Sequence, residues 1–414
     1  MTFERGNIAV ADVRLGEQTE LCNGVLLVDK KRLAEFLLSR DDNITSCLIS
    51  LARPGDSTRI LCVKDVVQPG CKVWGQGPGE GRRHVLENVA IVTCGKIVGY
   101  QEGIIDMSGT GALYSPFSRT FNVVLDIAVV SGLTPHQHEE TIRNAGLVAA
   151  DFLGETTRAL RPDTIQTFSA QEDQPVSSHL PRVVYIYMLL SQGLLHDTYI
   201  FGRNAREGLP RTIEPLMLLD GAITSGNCVS ACDKNTTWHH QNNPVLRELF
   251  RRHGRDLDFG GVVLTTEPVS LAVKESSAQK TIILVRELQA KGVILSKEGF
   301  GNPDADQMLL TRGLEQIGIK VVAITDEFAG ADGFSQSLAD SAMEADGVVS
   351  VGNANERVLL PPMEELLGPI RDLSRLAGAW PHSLHKDGSL EVELQAIIGA
   401  TNELGMQRLS CREV

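Results

Sequence analysis

Four apolar, β-branched runs give the C-terminal half its clearest pattern: GVVLT (Gly261–Thr265), GVILS (Gly292–Ser296), KVVAIT (Lys320–Thr325) and GVVSV (Gly347–Val351). They lie roughly 30 residues apart with helical patterns between them, which is typical of βαβ units. Such units build a parallel sheet with helices on both faces. The sequence therefore predicts an α/β fold with a C-terminal parallel sheet and flanking helices.

Polar, glycine-containing turns follow three of these runs: KEGFGNPDAD (Lys297–Asp306), DEFAGADG (Asp326–Gly333) and GNANE (Gly352–Glu356). These turns fall at the carboxyl ends of predicted strands, where open α/β sheets bind ligands. Ordinary capping and tight turning would explain any one of them, but three together favour a crevice. The candidate substrate-binding residues in these turns are Asn302, Asp326 and Asn353.

The N-terminal part shows a different pattern of alternating runs, such as SCLISLA (Ser46–Ala52), RILCVKDVV (Arg59–Val67) and VAIVTCGKIV (Val89–Val98). Pro-Gly and glycine-rich turns break these runs, which indicates a mixed region rich in antiparallel β-structure. A helix is predicted at about Pro135–Gly154, and a further strand at Arg182–Met188.

Composition limits the class of partner. The chain has 414 residues and a net charge of -13, which opposes binding to nucleic acid or to an acidic membrane surface. No apolar run approaches the ~20 residues that span a bilayer, and no secretory signal is apparent. Eight scattered cysteines lack the spacing of a disulfide framework. We expect a cytoplasmic protein whose partners are small molecules and other proteins.

The densest cluster of reactive side chains is AITSGNCVSACDKNTTWHHQNNP (Ala222–Pro244). One interpretation is a metal site made by Cys228, Cys232 and His239, which zinc would accept. A second is a thiol nucleophile at Cys228 with a histidine base. The candidate site residues of the whole segment are Asn227, Cys228, Asp233, His239 and His240.

A third interpretation is self-cleavage at the Asn227–Cys228 bond. The Cys228 thiol can attack the preceding amide through a five-membered ring to give a thioester. A β-elimination then breaks the chain and leaves a dehydroalanine, which hydrolyses to a pyruvoyl group. Gly226 would supply backbone freedom, Asn227 would hydrogen-bond the oxyanion, and His239 or His240 would move protons. Residue types and spacing alone leave the three interpretations open.

The string TSGNCVSACDKNTTWHHQNNPVLRELF (Thr224–Phe250) resembles the processing region of the component B proprotein of the glycine, sarcosine and betaine reductases. It is similar, more distantly, to the D-proline reductase precursor. The likeness extends over most of the chain, with these further segments: QEGIIDMSG (Gln101–Gly109), YSPFSRT (Tyr114–Thr120), YMLLSQGLLHDTY (Tyr187–Tyr199), KEGFGNPDAD, TDEFAGADGFSQSLAD (Thr325–Asp340) and GNANERVLLPPM (Gly352–Met363).

The resemblance implies that the precursor is cut before Cys228, which becomes a covalent pyruvoyl cofactor. A selenoprotein subunit of component B would then attack the activated amine substrate. Selenoprotein A would carry the product to the acetyl-phosphate-forming component C, so we expect a hetero-oligomer. Three parts follow: a mainly β region at 1–130, an α/β segment at 131–227 and a parallel-sheet domain at 228–414. Asp106, Ser108 and Tyr114 lie in resembling segments and are further candidate substrate-binding residues.

Overall fold

The computed structural model describes residues 1–97, 103–170, 176–192, 197–226, 234–332, 334, 338–374 and 376–405. Asn227, Cys228 and Asp233 lie outside these ranges, and so does Cys232. The residues on either side of this segment, Gly226 and Lys234, are described.

Strands dominate the first 170 residues. The strands are β1 (Thr2–Ala9), β2 (Asp12–Leu15), β3 (Glu20–Cys22), β4 (Val25–Val28), β5 (Ile44–Ala52), β6 (Thr58–Ile60), β7 (Val63–Val67), β8 (Gly70–Trp74), β9 (Gly81–Glu87), β10 (Val89–Gly95), β11 (Ile105–Asp106), β12 (Phe121–Val129) and β13 (Thr164–Ser169). The helices here are α1 (Lys30–Leu38) and α2 (Pro135–Gly154).

Strands and helices alternate in much of the remainder. The strands are β14 (Arg182–Leu190), β15 (Thr198–Ile200), β16 (Arg203–Asn204), β17 (Arg211–Ile213), β18 (Ile223–Ser225), β19 (Asp258–Glu267), β20 (Gly292–Ser296), β21 (Lys320–Glu327), β22 (Val348–Asn353), β23 (Arg357–Leu360), β24 (Glu365–Leu367) and β25 (Leu390–Glu393). The helices are α3 (Pro215–Leu219), α4 (Thr237–Gln241), α5 (Pro244–Arg252), α6 (Leu271–Glu287) and α7 (Asn302–Glu315).

The predicted parallel sheet is confirmed, with the order β17-β19-β14-β20-β21-β22. All neighbours pair in parallel except the edge strand β17. Strand β14 is buried along most of its length and lies at the centre, between β19 and β20. In chain order the parallel strands therefore run 2-1-3-4-5. This order places the topological switch point beside β14, where the carboxyl ends of doubly wound sheets bind ligands.

The N-terminal region is mixed, as predicted. Its two larger sheets have the orders β13-β1-β9-β8 and β5-β12-β10-β7, and each combines one parallel pairing with two antiparallel ones. The alternating run Arg59–Val67 is divided between two strands. The segment forms β6 and β7, because the chain turns at Cys62, whose φ of 55° lies in the left-handed region.

Helix α2 has the predicted bounds. It begins after Thr134, whose side chain accepts from the Gln137 N–H, and Gln137 in turn accepts from the Thr134 N–H. This reciprocal cap satisfies two backbone donors that the first turn leaves open. The helix packs against β10 and β7 and carries Glu139 towards the centre of the molecule.

Strands pair across both predicted domain boundaries, which follow residues 130 and 227. Strand β13 pairs with β1, and β14 pairs with β19 and β20. Strand β24, near the C-terminus, pairs with β6 in parallel. The segments before and after residue 227 therefore share one continuous structure, and the three-part division stays a prediction. Within the described ranges, no helix is both long and apolar enough to cross a bilayer.

Candidate active site

Buried carboxyl groups gather at the carboxyl edge of the parallel sheet, beside the switch point. Glu267 ends β19, Glu298 follows β20 by two residues, and Asp326 lies near the end of β21. The relative exposures are 0% for Glu267, 0% for Glu298 and 3% for Asp326. Acidic side chains are rarely buried to this extent unless they have partners or a function. The sequence had pointed to this edge but, of these three, only to Asp326.

The chain enters the Asn227–Cys228 junction from strand β18. The Ser225 N–H donates to Thr237 Oγ1 at 2.9 Å, and the Gly226 N–H donates to the Asp197 carbonyl at 2.9 Å. A Cβ at position 226 would lie 2.5 Å from that carbonyl oxygen and 3.0 Å from Glu139 Oε1. Gly226 does not adopt a left-handed conformation. The close approach of the Asp197 carbonyl therefore favours glycine at this position.

The chain leaves the junction at Lys234, whose side chain reaches back to the strand before it. Lys234 Nζ donates to Thr198 Oγ1 at 2.7 Å and to Ser225 Oγ at 3.0 Å. It also lies 3.8 Å from Glu298 Oε1, and both side chains are fully buried. The Lys234 ammonium group thus links the two flanks of the junction and also contacts Glu298, at the carboxyl end of β20.

The two candidate histidines have different surroundings. His239 lies in α4, where its Nδ1 accepts from the Thr236 N–H at 3.2 Å and so caps the helix. Its ring packs edge-on against Phe117 and Trp238, with centroids 5.2 and 5.6 Å away. Burial lowers the pKa of His239 to about 3, so this imidazole is neutral. These contacts give His239 a packing and capping role.

His240 instead faces polar groups. Its Nδ1 lies 2.6 Å from the Tyr187 hydroxyl, and its Nε2 lies 3.4 Å from Glu298 Oε1. Burial lowers the pKa of His240, while the nearby Glu298 carboxylate opposes that shift. His240 Nε2 and Glu298 Oε1 face each other and have no other hydrogen-bond partner among the described residues. His240 thus lies between a hydroxyl and a carboxylate, an arrangement that can transfer a proton.

Glu298 and Glu267 adopt opposite charge states. Glu298 Oε2 accepts from the Leu190 N–H at 2.8 Å and from Thr198 Oγ1 at 2.7 Å. Burial raises the pKa of Glu298, but Lys234 and His240 outweigh it and lower the value to about 2. Burial, and then the Glu298 charge, raise the pKa of Glu267 well above its ordinary range. The two pKa values are therefore shifted in opposite directions: Glu298 is held ionised, and the protonated form of Glu267 is favoured.

Asp326 belongs to a second buried cluster around Lys297. Lys297 Nζ donates to the Gly299 carbonyl at 2.6 Å, to Asp326 Oδ1 at 2.8 Å and to Glu403 Oε1 at 2.6 Å. These three bonds use all the protons of the ammonium group. The cluster joins the ends of β20 and β21 to the C-terminal segment at Glu403.

Two other candidates near this edge engage the backbone of their own loops. The Asn353 side chain accepts from the Ala329 N–H at 3.0 Å and donates to the Gly330 carbonyl at 2.9 Å. Asn302 is exposed at the start of α7, and its carbonyl accepts from Lys274 Nζ at 3.0 Å. The N-cap position of this helix belongs to Gly301, whose N–H donates to Asp304.

The remaining three candidates lie against the C-terminal strands. Asp106 forms a fully buried ion pair with Arg59, with contacts of 2.6 and 2.8 Å. Ser108 Oγ lies 3.9 Å from Met363 Sδ, and Tyr114 packs against the core that surrounds β23 and β25. Their role in substrate binding stays a prediction.

The metal hypothesis stays a hypothesis, since two of its three proposed ligands lie outside the described residues. No group of three or more histidine, cysteine, aspartate or glutamate side chains there can hold a metal ion. Cys228 and Cys232 lie outside the described residues, while His239, the third proposed ligand, uses Nδ1 to cap a helix.

Comparison with known proteins identifies the family. The family described as glycine/sarcosine/betaine reductase component B subunits matches residues 1–412. The chain is 47% identical to the glycine reductase complex component B subunits alpha and beta of Peptoclostridium acidaminophilum, over all of both chains. It is 46% identical to the glycine reductase complex component B subunits alpha and beta of Acetoanaerobium sticklandii, again over all of both chains. It is 44% identical to the sarcosine reductase complex component B subunit alpha of Peptoclostridium acidaminophilum, with the same full coverage. No solved structure matches the chain. The chain therefore belongs to the family of glycine/sarcosine/betaine reductase component B subunits.

Proposed function

We propose that this chain is the substrate-binding subunit of a reductase complex that cleaves the C–N bond of glycine or an N-methylated glycine. We further propose that it carries a pyruvoyl group, formed when the chain is cut between Asn227 and Cys228. The observation that carries the proposal is the set of buried ionisable groups, Lys234, His240 and Glu298, which adjoins both flanks of that bond.

The residues around the junction fit such a group. Ser225 and Gly226 are held by backbone hydrogen bonds on one side, and Lys234 is held by Thr198 and Ser225 on the other. His240 Nε2 and Glu298 Oε1 are buried polar atoms that face each other at 3.4 Å and have no other hydrogen-bond partner among the described residues. A pyruvoyl group supplies an electrophilic carbonyl that withdraws electrons from the nitrogen of a bound amine.

Cutting the junction requires proton transfer. The Cys228 sulfur attacks the Asn227 carbonyl, and the amide nitrogen takes up the thiol proton as the C–N bond breaks. A base then removes the Cα proton of residue 228. The C–H electron pair forms a Cα=Cβ bond. The Cβ–S bond breaks, and the sulfur takes its electron pair and leaves as a thiocarboxylate. Water then replaces the nitrogen, which departs as ammonia. A positioned base typically accelerates such a step by about 10²–10⁴-fold.

The reducing nucleophile is expected to come from a partner. Burial raises the pKa of four described thiols, Cys47, Cys62, Cys71 and Cys94, which keeps them protonated and unreactive. A selenoprotein subunit of component B is the proposed donor, with selenoprotein A as carrier and the acetyl-phosphate-forming component C downstream. The relatives named above are components of such complexes. The proposed location is the cytoplasm.

Substitution of Cys228 tests the proposal. Cys228→Ala removes the sulfur that must attack, so we expect neither fragments of the chain nor reduction of glycine or sarcosine by the reconstituted complex. Cys232→Ala is the matched control, and it should be cut and should turn over like the wild type. Bound zinc at one ion per chain that is lost on Cys232→Ala would instead support a metal site.

A further inference from the structure

One hydrogen-bond chain runs from the C-terminal segment to Tyr187, and a backbone donor sets its direction. The Leu404 N–H donates to Asn402 Oδ1 at 3.2 Å, so the Asn402 amide nitrogen must point the other way. That nitrogen donates to Asn235 Oδ1. The Asn235 amide nitrogen then donates to the Tyr187 oxygen at 3.4 Å. Each donor in the chain is fixed by the one before it, beginning with an N–H that cannot be reversed.

This direction favours one tautomer of His240. Tyr187 accepts from Asn235, and we assign its own hydroxyl proton to the short contact with His240 Nδ1, 2.6 Å away. His240 Nδ1 is therefore an acceptor, and the ring proton lies on Nε2, which faces Glu298 Oε1 at 3.4 Å. The Leu190 N–H and Thr198 hydroxyl hold the other carboxylate oxygen of Glu298. The arrangement is similar to a catalytic triad, in which a carboxylate orients a histidine that exchanges a proton with a hydroxyl.

We propose that Tyr187, His240 and Glu298 form a buried proton relay that serves the cutting of the junction. The inference rests on the proposed function, because the proton in question is one that the proposed cut releases. When the Tyr187 oxygen takes up a proton, its own hydroxyl proton passes to His240 Nδ1. Glu298 stabilises the resulting imidazolium through Nε2. Glu298 is a positioning residue, since it acts only through His240.

The charge states at rest agree with this direction of transfer. Burial raises the pKa of Tyr187 well above its ordinary value, so the phenol carries its proton. Burial lowers the pKa of His240, so the imidazole is free to receive one. All three side chains are at most 3% exposed, which excludes bulk water as a competing proton source. Tyr187 and Asn235 also come from opposite sides of the junction, so the relay spans the two products of the cut.

Tyr185 offers a matched control for Tyr187. It lies two positions earlier on β14, is equally buried and stacks on Tyr187 with ring centroids 5.2 Å apart. Its hydroxyl lies 2.7 Å from Ser296 Oγ and accepts from the Asn243 amide at 3.2 Å, but it has no bond to His240. Replacing either tyrosine by phenylalanine therefore removes one buried phenol with similar loss of stability. Only Tyr187→Phe interrupts the relay.

The test follows cutting of the newly synthesised full chain by pulse–chase in an extract of its host. We expect Tyr187→Phe to slow the cut by about 10²–10⁴-fold and Tyr185→Phe to leave it unchanged. Glu298→Gln should slow the cut and move the acid limb of the pH profile to lower pH, because the Glu298 charge raises the pKa of His240. The ¹⁵N resonances of His240 in the purified protein should report a proton on Nε2.

The outcomes separate the relay from the proposed function. Equal rates for Tyr187→Phe and Tyr185→Phe, in a wild-type chain that is cut, would overturn the relay alone. So would a proton on Nδ1 of His240 at neutral pH, or an acid limb unmoved by Glu298→Gln. A wild-type chain that is never cut, in the host extract or in the assembled complex, would overturn the proposed function itself.

Discussion

Glu298→Gln and Glu267→Gln are nearly isosteric changes at two neighbouring buried carboxyl groups. We expect Glu298→Gln to lower the free energy of unfolding much more than Glu267→Gln does. Glu298 is ionised and lies 3.8 Å from Lys234, so at an effective dielectric constant of about 20 the pair attracts by about 4 kcal/mol. The substitution leaves the Lys234 ammonium buried opposite an amide. Breaking a buried ion pair in this way costs roughly 3–5 kcal/mol.

The raised pKa of Glu267 favours its protonated form, and an amide reproduces both the shape and the charge of that form. Its Oε1 accepts from the Glu298 N–H at 2.9 Å, and the oxygen of a glutamine side chain can do the same. We therefore expect Glu267→Gln to change the free energy of unfolding by less than about 1 kcal/mol.

Urea unfolding followed by circular dichroism at pH 7 compares the two variants. Both are made in the Cys228→Ala background, so that every sample is one continuous chain. The expected result is a clearly lower midpoint for Glu298→Gln and a midpoint near the parent for Glu267→Gln. Equal midpoints, or a larger loss for Glu267→Gln, would refute the assigned charge states.

Three further predictions concern the junction and its surroundings. Fragments 1–227 and 228–414 should co-elute in native size-exclusion chromatography and separate only in denaturant, because β14 of the first pairs with β19 and β20 of the second; separate native peaks would argue against this fold. His239→Gln should reduce the loss of stability in acid, as measured by urea midpoints between pH 4 and 7. The pKa of His239 is about 3 in the folded state and 6.5 in the unfolded state. The neutral ring therefore costs no stability above pH 6.5, and below pH 6.5 the free energy of unfolding falls by up to about 1.4 kcal/mol per pH unit. Parallel curves of urea midpoint against pH for the variant and the wild type would contradict this. Gly226→Ala should destabilise the chain and slow the cut, since a Cβ there would lie 2.5 Å from the Asp197 carbonyl oxygen. Thr224→Ala, on the strand β18 that precedes Gly226, should do neither, and a normal rate for Gly226→Ala would show that the contact is dispensable.

Local pattern was sufficient to predict much of the fold. The runs that became β19 to β22 are short, β-branched and separated by helical patterns, so both their conformation and their parallel pairing could be predicted. The central place of β14 could not, because pairing order depends on contacts between residues far apart in the chain. The break at Cys62 was also missed, since a left-handed residue other than glycine leaves little trace in the sequence.

The sequence likewise pointed to only some of the residues of the candidate site. His240 was predicted because it lies close to the junction in sequence. Tyr187 and Glu298 were not predicted, although the first is in a resembling segment and the second follows a predicted strand. Their partnership depends on a contact across the sheet, as in the bond between Leu190 and Glu298, which are 108 residues apart. Glutamate and lysine are exposed by default, so burial of Glu298 and Lys297 becomes evident only in the fold.

The central claim is that the Asn227–Cys228 bond is cut to make the working protein. Intact-mass and peptide mass spectrometry of the protein purified in its active complex test this claim most directly. We expect one fragment that ends at Asn227 and a second whose first residue, at position 228, is blocked and has lost its sulfur. An uncut chain with a free Cys228 thiol in an active complex would contradict the account.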